Sequence, residues 1–237
     1  MPFEQQLAAN YQNVLDRIAQ ACARAGRLPA EVTLVAVTKT AEPAWIESLV
    51  KLGARDLGES RPQQLVERAA QVSGPVRWHL IGHLQRNKVR QVLPAAQWMH
   101  SIDSARLLER VDDVAGELRL RPRLLLEVNV SGEGSKGGFA LDEIAAAWPT
   151  ILARRHVRIE GLMTMAPLAE HTDIARRVFR GLRELRDRLR NVSPENVPRN
   201  ELSMGMSQDF EVAVEEGATL VRVGSLLFEG LEPVDEI

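Results

Sequence analysis

The chain has 237 residues, 45% apolar and 26% charged, the balance of an ordinary folded domain rather than a disordered or fibrous chain. Thirty basic against 32 acidic side chains leave a net charge of −2, which gives no overall pull toward nucleic acid or an anionic membrane surface. No apolar run reaches the roughly 18 residues of a membrane span, and the N-terminal segment carries Glu4 and Asp16 instead of a secretory signal.

Residues 3–25 predict a leading helix, with Leu7, Tyr11, Val14, Leu15, Ile18 and Cys22 on one stripe. Cys22 is the sole cysteine, so no intrachain disulfide can form, which fits a reducing cytosol. On that stripe it reads as a small buried apolar side chain rather than a reactive thiol.

Strand-like runs then alternate with helix-like runs eight times. The predicted strands are 32–39, 55–58, 76–82, 98–102, 123–130, 158–165, 200–204 and 219–223. Several, such as RLLLEVNV, are continuously apolar, as parallel strands buried on both faces are. Predicted helices lie between them: AEPAWIESLVKLG, RPQQLVERAAQV, QRNKVRQVLPAA, SARLLERVDDVAGEL, LDEIAAAWPTILARR, HTDIARRVFRGLRELRDRLR and QDFEVAVEEG. Eight βα units at this length predict a closed (β/α)8 barrel, α/β in class, as a single domain over residues 1–237, with residues 1–30 packed on it as an extra N-terminal helix. The glycine-rich stretch 131–138 is the nearest thing to an insertion.

A barrel of this kind carries its site at the C-terminal ends of the strands. Lys39 stands at the first such end, where partial desolvation favours the free amine that attacks an aldehyde; the other reading is a lysine snorkelling to solvent. The loops after strands seven and eight carry SMGMS and VGS. Gly205 and Gly224 let backbone N–H groups approach a phosphate, and Ser207 either donates to that anion or caps the next helix. Arg222 sits inside a strand and requires a partner: a ring nitrogen of a bound cofactor, or a core carboxylate such as Glu127 or Glu59. His79 and His83 are spaced to share a strand face, but no third ligand follows and no metal motif is present, so no metal is expected. His100, His156 and His171 read as core-edge or surface residues. The arginines of 176–190 are interleaved with Glu184 and Asp187 and read as a solvated helix face.

Seven segments in order carry a family likeness: VAVTKT (35–40), LGES (57–60), WHLIGHLQRNK (78–88), IDS (102–104), EVNVSGEGSKGGF (127–139), GLMTM (161–165) and LSMGMSQDFEVAVEEGATLVRVG (202–224). Over residues 11–230 the chain resembles the YggS-type pyridoxal-phosphate homeostasis proteins, which share the barrel of the alanine racemase N-terminal domain. The resemblance implies pyridoxal 5′-phosphate (PLP) held as a Schiff base on Lys39. It implies a phosphate region of Ser203, Gly205, Ser207, Gly224 and Ser225, with Arg222 facing the pyridine nitrogen and Met163 and Met204 lining the ring. Lys136 matches a family loop lysine. Ser60 stands where the family usually has Asn, replacing a donor and acceptor with a shorter hydroxyl.

The implied function is to hold PLP and help maintain the vitamin B6 pool without robust turnover. The implied partners are PLP and PLP-requiring apoenzymes, with no nucleic acid and no membrane, in a cytoplasmic monomer. The alternative is a one-domain PLP-dependent amino-acid racemase. Two-base racemisation needs a group on each face of the substrate carbon, and the single tyrosine, Tyr11, lies in the leading helix, leaving His83 or Lys136 for that role. An arginine at the pyridine nitrogen also weakens the ring as an electron sink.

Overall fold

The computed structural model describes residues 2–133, 137–167, 172–194 and 200–232; Lys136 and His171 lie outside them. Eight strands close a barrel in chain order: β1 (Thr33–Val37), β2 (Asp56–Glu59), β3 (Arg77–Leu80), β4 (Trp98–Ile102), β5 (Arg123–Glu127), β6 (Arg158–Met163), β7 (Glu201–Ser203) and β8 (Leu220–Val223). Every pairing is parallel, and β8 returns to β1 with Arg222 opposite Val35. Most strands end before the apolar run does, so Lys39, Gly82, Val130, Met165 and Met204 belong to the loops of the mouth.

The helices are α1 (Phe3–Arg24), α2 (Pro43–Lys51), α3 (Pro62–Gln71), α4 (Val89–Val92), α5 (Ala105–Leu118), α6 (Leu141–Leu152), α7 (Thr172–Asn191) and α8 (Phe210–Glu215). Pro43 and Pro62 open α2 and α3, where a missing N–H costs nothing and the fixed φ suits the helix. Ser104 caps α5 by accepting the Leu107 N–H at 3.3 Å. The pattern QRNKVRQVLPAA contracts to a 3-10 turn and the four residues of α4, because Pro94 ends the run.

Among the described residues, β8 is followed by a 3-10 turn, Ser225–Phe228, and no further helix. The place in the outer ring between α8 and α2 is taken by α1, which packs on both and on that turn. Leu7, Val14, Ile18, Ala21 and Cys22 are its buried stripe. The main core lies between barrel and helices. A smaller inner cluster of Val35, Trp98, Leu125, Met163 and Leu220 fills the barrel. Strand alternation sorts the two: in β8, Val221 and Val223 face the helices, whereas Leu220 and Arg222 face inward.

Part of the basic face of α7 is docked, while Arg177, Arg188 and Arg190 stay exposed as a solvated face. Arg176, Arg180 and Arg183 each reach the buried Glu216 that follows α8, at 3.1 Å. Their partners come from the neighbouring helix, not from Glu184 and Asp187 at helical spacing.

Candidate functional site

A cavity of about 720 Å³ opens at the C-terminal ends of the strands. Lys39, Ser60, Ser207, Arg222, Gly224 and Ser225 all line it, six of the ten positions expected to do so. The elements that hold them explain the other four.

Lys39 sits in a turn two residues past β1 and is exposed on the cavity wall. The partial desolvation expected of a strand-end lysine is therefore not found. Its turn is nonetheless pinned. Gln64 Nε2 donates to the Lys39 carbonyl at 3.1 Å, and Arg68 donates to the carbonyls of Ala41, at 2.7 Å, and Thr38. Glu59, fully buried, accepts from the Thr38 hydroxyl and from Arg68. Glu59 is thus a scaffold for the lysine turn and not a partner of Arg222.

Arg222 is 4% exposed at the cavity floor. Its two hydrogen bonds go to neutral oxygens, Nη1 to Ser203 Oγ and Nη2 to the Thr164 carbonyl at 3.1 Å. A guanidinium has five N–H donors, so it keeps others for the cavity. Burial pulls its pKa down to about 10, opposed by Asp209 and Glu127, so it remains a cation at neutral pH. Glu127 and Asp209 also line the cavity, and burial pushes both carboxyls up.

Ser203 lies beneath Arg222 and is fully buried, not on the cavity wall. Met163 belongs to the inner cluster and Met204 to the outer core. Two residues further on, Met165 and Met206 are the methionines at the cavity. Gly205 serves packing: its φ is +92°, and a Cβ there would lie 2.5 Å from Ala213 Cβ. At Gly224 a Cβ would come 3.1 Å from Val37 Cβ, so this glycine lets the last loop close on β1. Ser207 does not cap α8, whose N-cap is Asp209. Its Oγ accepts the Gly224 N–H at 3.3 Å.

The two histidines of the third strand part company. His79 is buried inside the barrel between Asp56 and His100, whereas His83 lies at the mouth with Nδ1 3.2 Å from Asp103. His100 is fully buried too, not at a core edge. Among the described residues no three His, Cys, Asp or Glu side chains group to hold a metal ion. Sequence reasoning passed over Asp103 and Asp209 as cavity residues, although Asp103 directly follows the fourth strand, where a barrel displays its site.

The donor set among the described residues suits a phosphorylated aldehyde with an aromatic ring: an accessible amine, serine hydroxyls on adjoining loops, and a buried cation with free donors. Residues 6–232 match the alanine racemase N-terminal domain family. A pyridoxal phosphate homeostasis protein of Aquifex aeolicus is 40% identical over 216 residues, covering 91% of this chain and 94% of that protein. The structure of Synechococcus elongatus PipY with PLP bound is 37% identical with a TM-score of 0.80, covering 89% of this chain and 99% of that one. An alanine racemase of Clostridium difficile shares the fold at 14% identity and a TM-score of 0.74, over 97% of this chain and 58% of that one.

Proposed function

The chain belongs to the pyridoxal phosphate homeostasis proteins of the alanine racemase N-terminal domain family, and from that premise we propose that its cavity holds PLP on Lys39 to buffer and hand on the cofactor. The observation that carries this reading is the buried Arg222 guanidinium, whose hydrogen bonds among the described residues go to neutral oxygens, in the same cavity as the Lys39 amine. PLP supplies an aldehyde that condenses with an amine, a phosphate dianion, and a ring nitrogen that accepts a hydrogen bond. Lys39 provides the amine. Ser207 and Ser225 provide hydroxyls to the phosphate from the two loops that adjoin at Gly224. Arg222 directs an unused N–H to the ring nitrogen, and Met165, Met206 and Ile81 offer apolar contact to the ring. Ser60 contributes its hydroxyl at the rim, while Ser203, Gly205, Met163 and Met204 shape the floor from behind.

The recipients in this reading are PLP-requiring apoenzymes, and the protein acts as a cytoplasmic monomer. A lone, buried Cys22 is in keeping with a reducing compartment. No helix among the described residues is long and apolar enough to cross a membrane.

Absorption spectra with added PLP, before and after borohydride, test this in wild type and Lys39→Ala. A band that borohydride bleaches and the variant lacks is expected. No such band in the wild type at excess PLP overturns the reading. Racemisation of free amino acids, lost in Lys39→Ala, would turn the holder into an enzyme.

A further inference from the structure

Behind the cavity floor a file of buried polar side chains crosses the barrel interior. Ser203 Oγ, which accepts from Arg222, is 2.8 Å from His100 Nδ1. His100 Nε2 is 2.9 Å from His79 Nδ1, and His79 Nε2 is 2.9 Å from Asp56 Oδ1. Asp56 is the first residue of β2, at the opposite end of the barrel from the cavity, and Arg77 Nε holds it at 2.6 Å. Both imidazoles and Ser203 are fully buried, and Trp98 stacks on His79 with ring centroids 5.7 Å apart.

Chemistry allows one direction of donation along this file. An ionised carboxylate only accepts, so His79 Nε2 carries the hydrogen. Burial disfavours charge on both rings, so His79 is neutral and its Nδ1 is an acceptor. His100 Nε2 therefore donates, leaving its own Nδ1 to accept from the Ser203 hydroxyl. The serine oxygen then faces Arg222 with a lone pair, and Arg222 donates into it. Every donor meets an acceptor from the cation to the anion, and no ring nitrogen of the file is left without a partner.

We propose that Ser203, His100, His79 and Asp56 form a one-way hydrogen-bond relay that holds Arg222 as a donor toward the PLP ring nitrogen, making Asp56 a remote positioning residue. This rests on the reading of the cavity as a PLP site. Neither histidine serves as acid, base or ligand; each fixes the tautomer of the next group. The apolar alternative, a barrel filled entirely by aliphatic layers, would leave the Arg222 guanidinium without this line to a counter-charge.

Two measurements test it. In PLP-free protein at neutral pH, nitrogen-15 NMR should show His79 and His100 neutral, each protonated at Nε2 and not at Nδ1. An imidazolium or an Nδ1–H tautomer at either ring overturns the relay without any variant having to fold. Asp56→Asn keeps an oxygen for His79 but removes the charge, and should weaken PLP binding about tenfold and shift the absorption band of the Lys39-linked cofactor. Glu216→Gln, on the outer helices, should change neither. Wild-type band and affinity in Asp56→Asn overturn the proposal while leaving the PLP reading standing. A wild type with no borohydride-reducible link to PLP removes that reading and the ring-nitrogen role together.

Discussion

Ser207 and Gly224 are joined directly: the Gly224 N–H donates to Ser207 Oγ at 3.3 Å, tying the loop after β7 to the loop after β8. The serine oxygen is thereby used as an acceptor, and its O–H is left to donate into the cavity it lines. Ser207→Ala removes the tie and the donor together. PLP affinity should fall by about ten- to a hundredfold, the worth of one hydrogen bond to a charged phosphate, while Ser207→Thr retains most of it. Equilibrium titration of the cofactor measures this, and an unchanged dissociation constant in Ser207→Ala would remove the serine from the phosphate site.

Gly205 makes a different demand. Its φ of +92° disfavours any L side chain, and an added methyl would meet Ala213 Cβ at 2.5 Å and Phe210 Cα at 2.8 Å. Strain and overpacking act together, so Gly205→Ala should lower unfolding stability by about 3 kcal/mol. Gly132 has a φ of +72° with no atom of the described residues within 4 Å of the added Cβ, so Gly132→Ala should cost the strain alone, about 1 kcal/mol. Urea denaturation of both variants separates the two terms; equal losses would show that packing against α8 is not the reason for Gly205.

The barrel was legible because parallel strands covered on both faces read as continuous apolar runs, which β1 and β5 display plainly. Lys39, Ser60, Ser207, Arg222, Gly224 and Ser225 were legible because polar residues at strand ends have few places to go but the mouth. The methionines were placed two residues too early. The resemblance assigned Met163 and Met204, and an apolar run does not announce where β6 and β7 stop pairing, so interior positions and those at the mouth read alike. His100 alternates with Met99 as an inward residue should, two positions after Trp98, but in a strand buried on both faces the sequence does not show which face is the interior. Arg68 and Gln64 gave no local clue, since their importance lies in carbonyls some 25 to 30 residues away in the chain.

Glu216 collects Arg176, Arg180 and Arg183 while only 5% of its side chain is exposed. Those arginines are 35%, 51% and 34% exposed, so they can rehydrate if the carboxylate is lost. Glu216→Gln should therefore cost about 1–2 kcal/mol, well short of the loss on breaking a fully buried pair. Thermal unfolding reads this directly. A loss above about 4 kcal/mol would mean that the arginines stay desolvated when their partner is gone.

The buried file gives stability a defined pH dependence. Burial lowers the pKa of His79 and of His100, the latter further through the neighbouring His79 ring. As pH falls through about 6.5 the unfolded chain takes up protons at these positions that the folded chain refuses, so stability present above that pH is lost below it. Each histidine contributes a slope of at most about 1.4 kcal/mol per pH unit. Asp56 acts lower. Burial works against its charge, but hydrogen bonds from His79 and Arg77 outweigh burial and hold its carboxyl at about 2. Its contribution, about 2 kcal/mol, is complete above about pH 4 and disappears as pH falls toward its folded pKa. Glu127 and Asp209, raised by burial, have the opposite sign and bind protons first in the folded state, offsetting part of the loss. The difference between proteins is therefore the clean reading: urea denaturation from about pH 8 to about pH 4 should show a slope below about pH 6.5 in the wild type that falls in His79→Gln, by at most about 1.4 kcal/mol per pH unit. Identical slopes would mean that His79 takes up its proton inside the folded barrel, and a positively charged His79 cannot accept the hydrogen bond that His100 must donate.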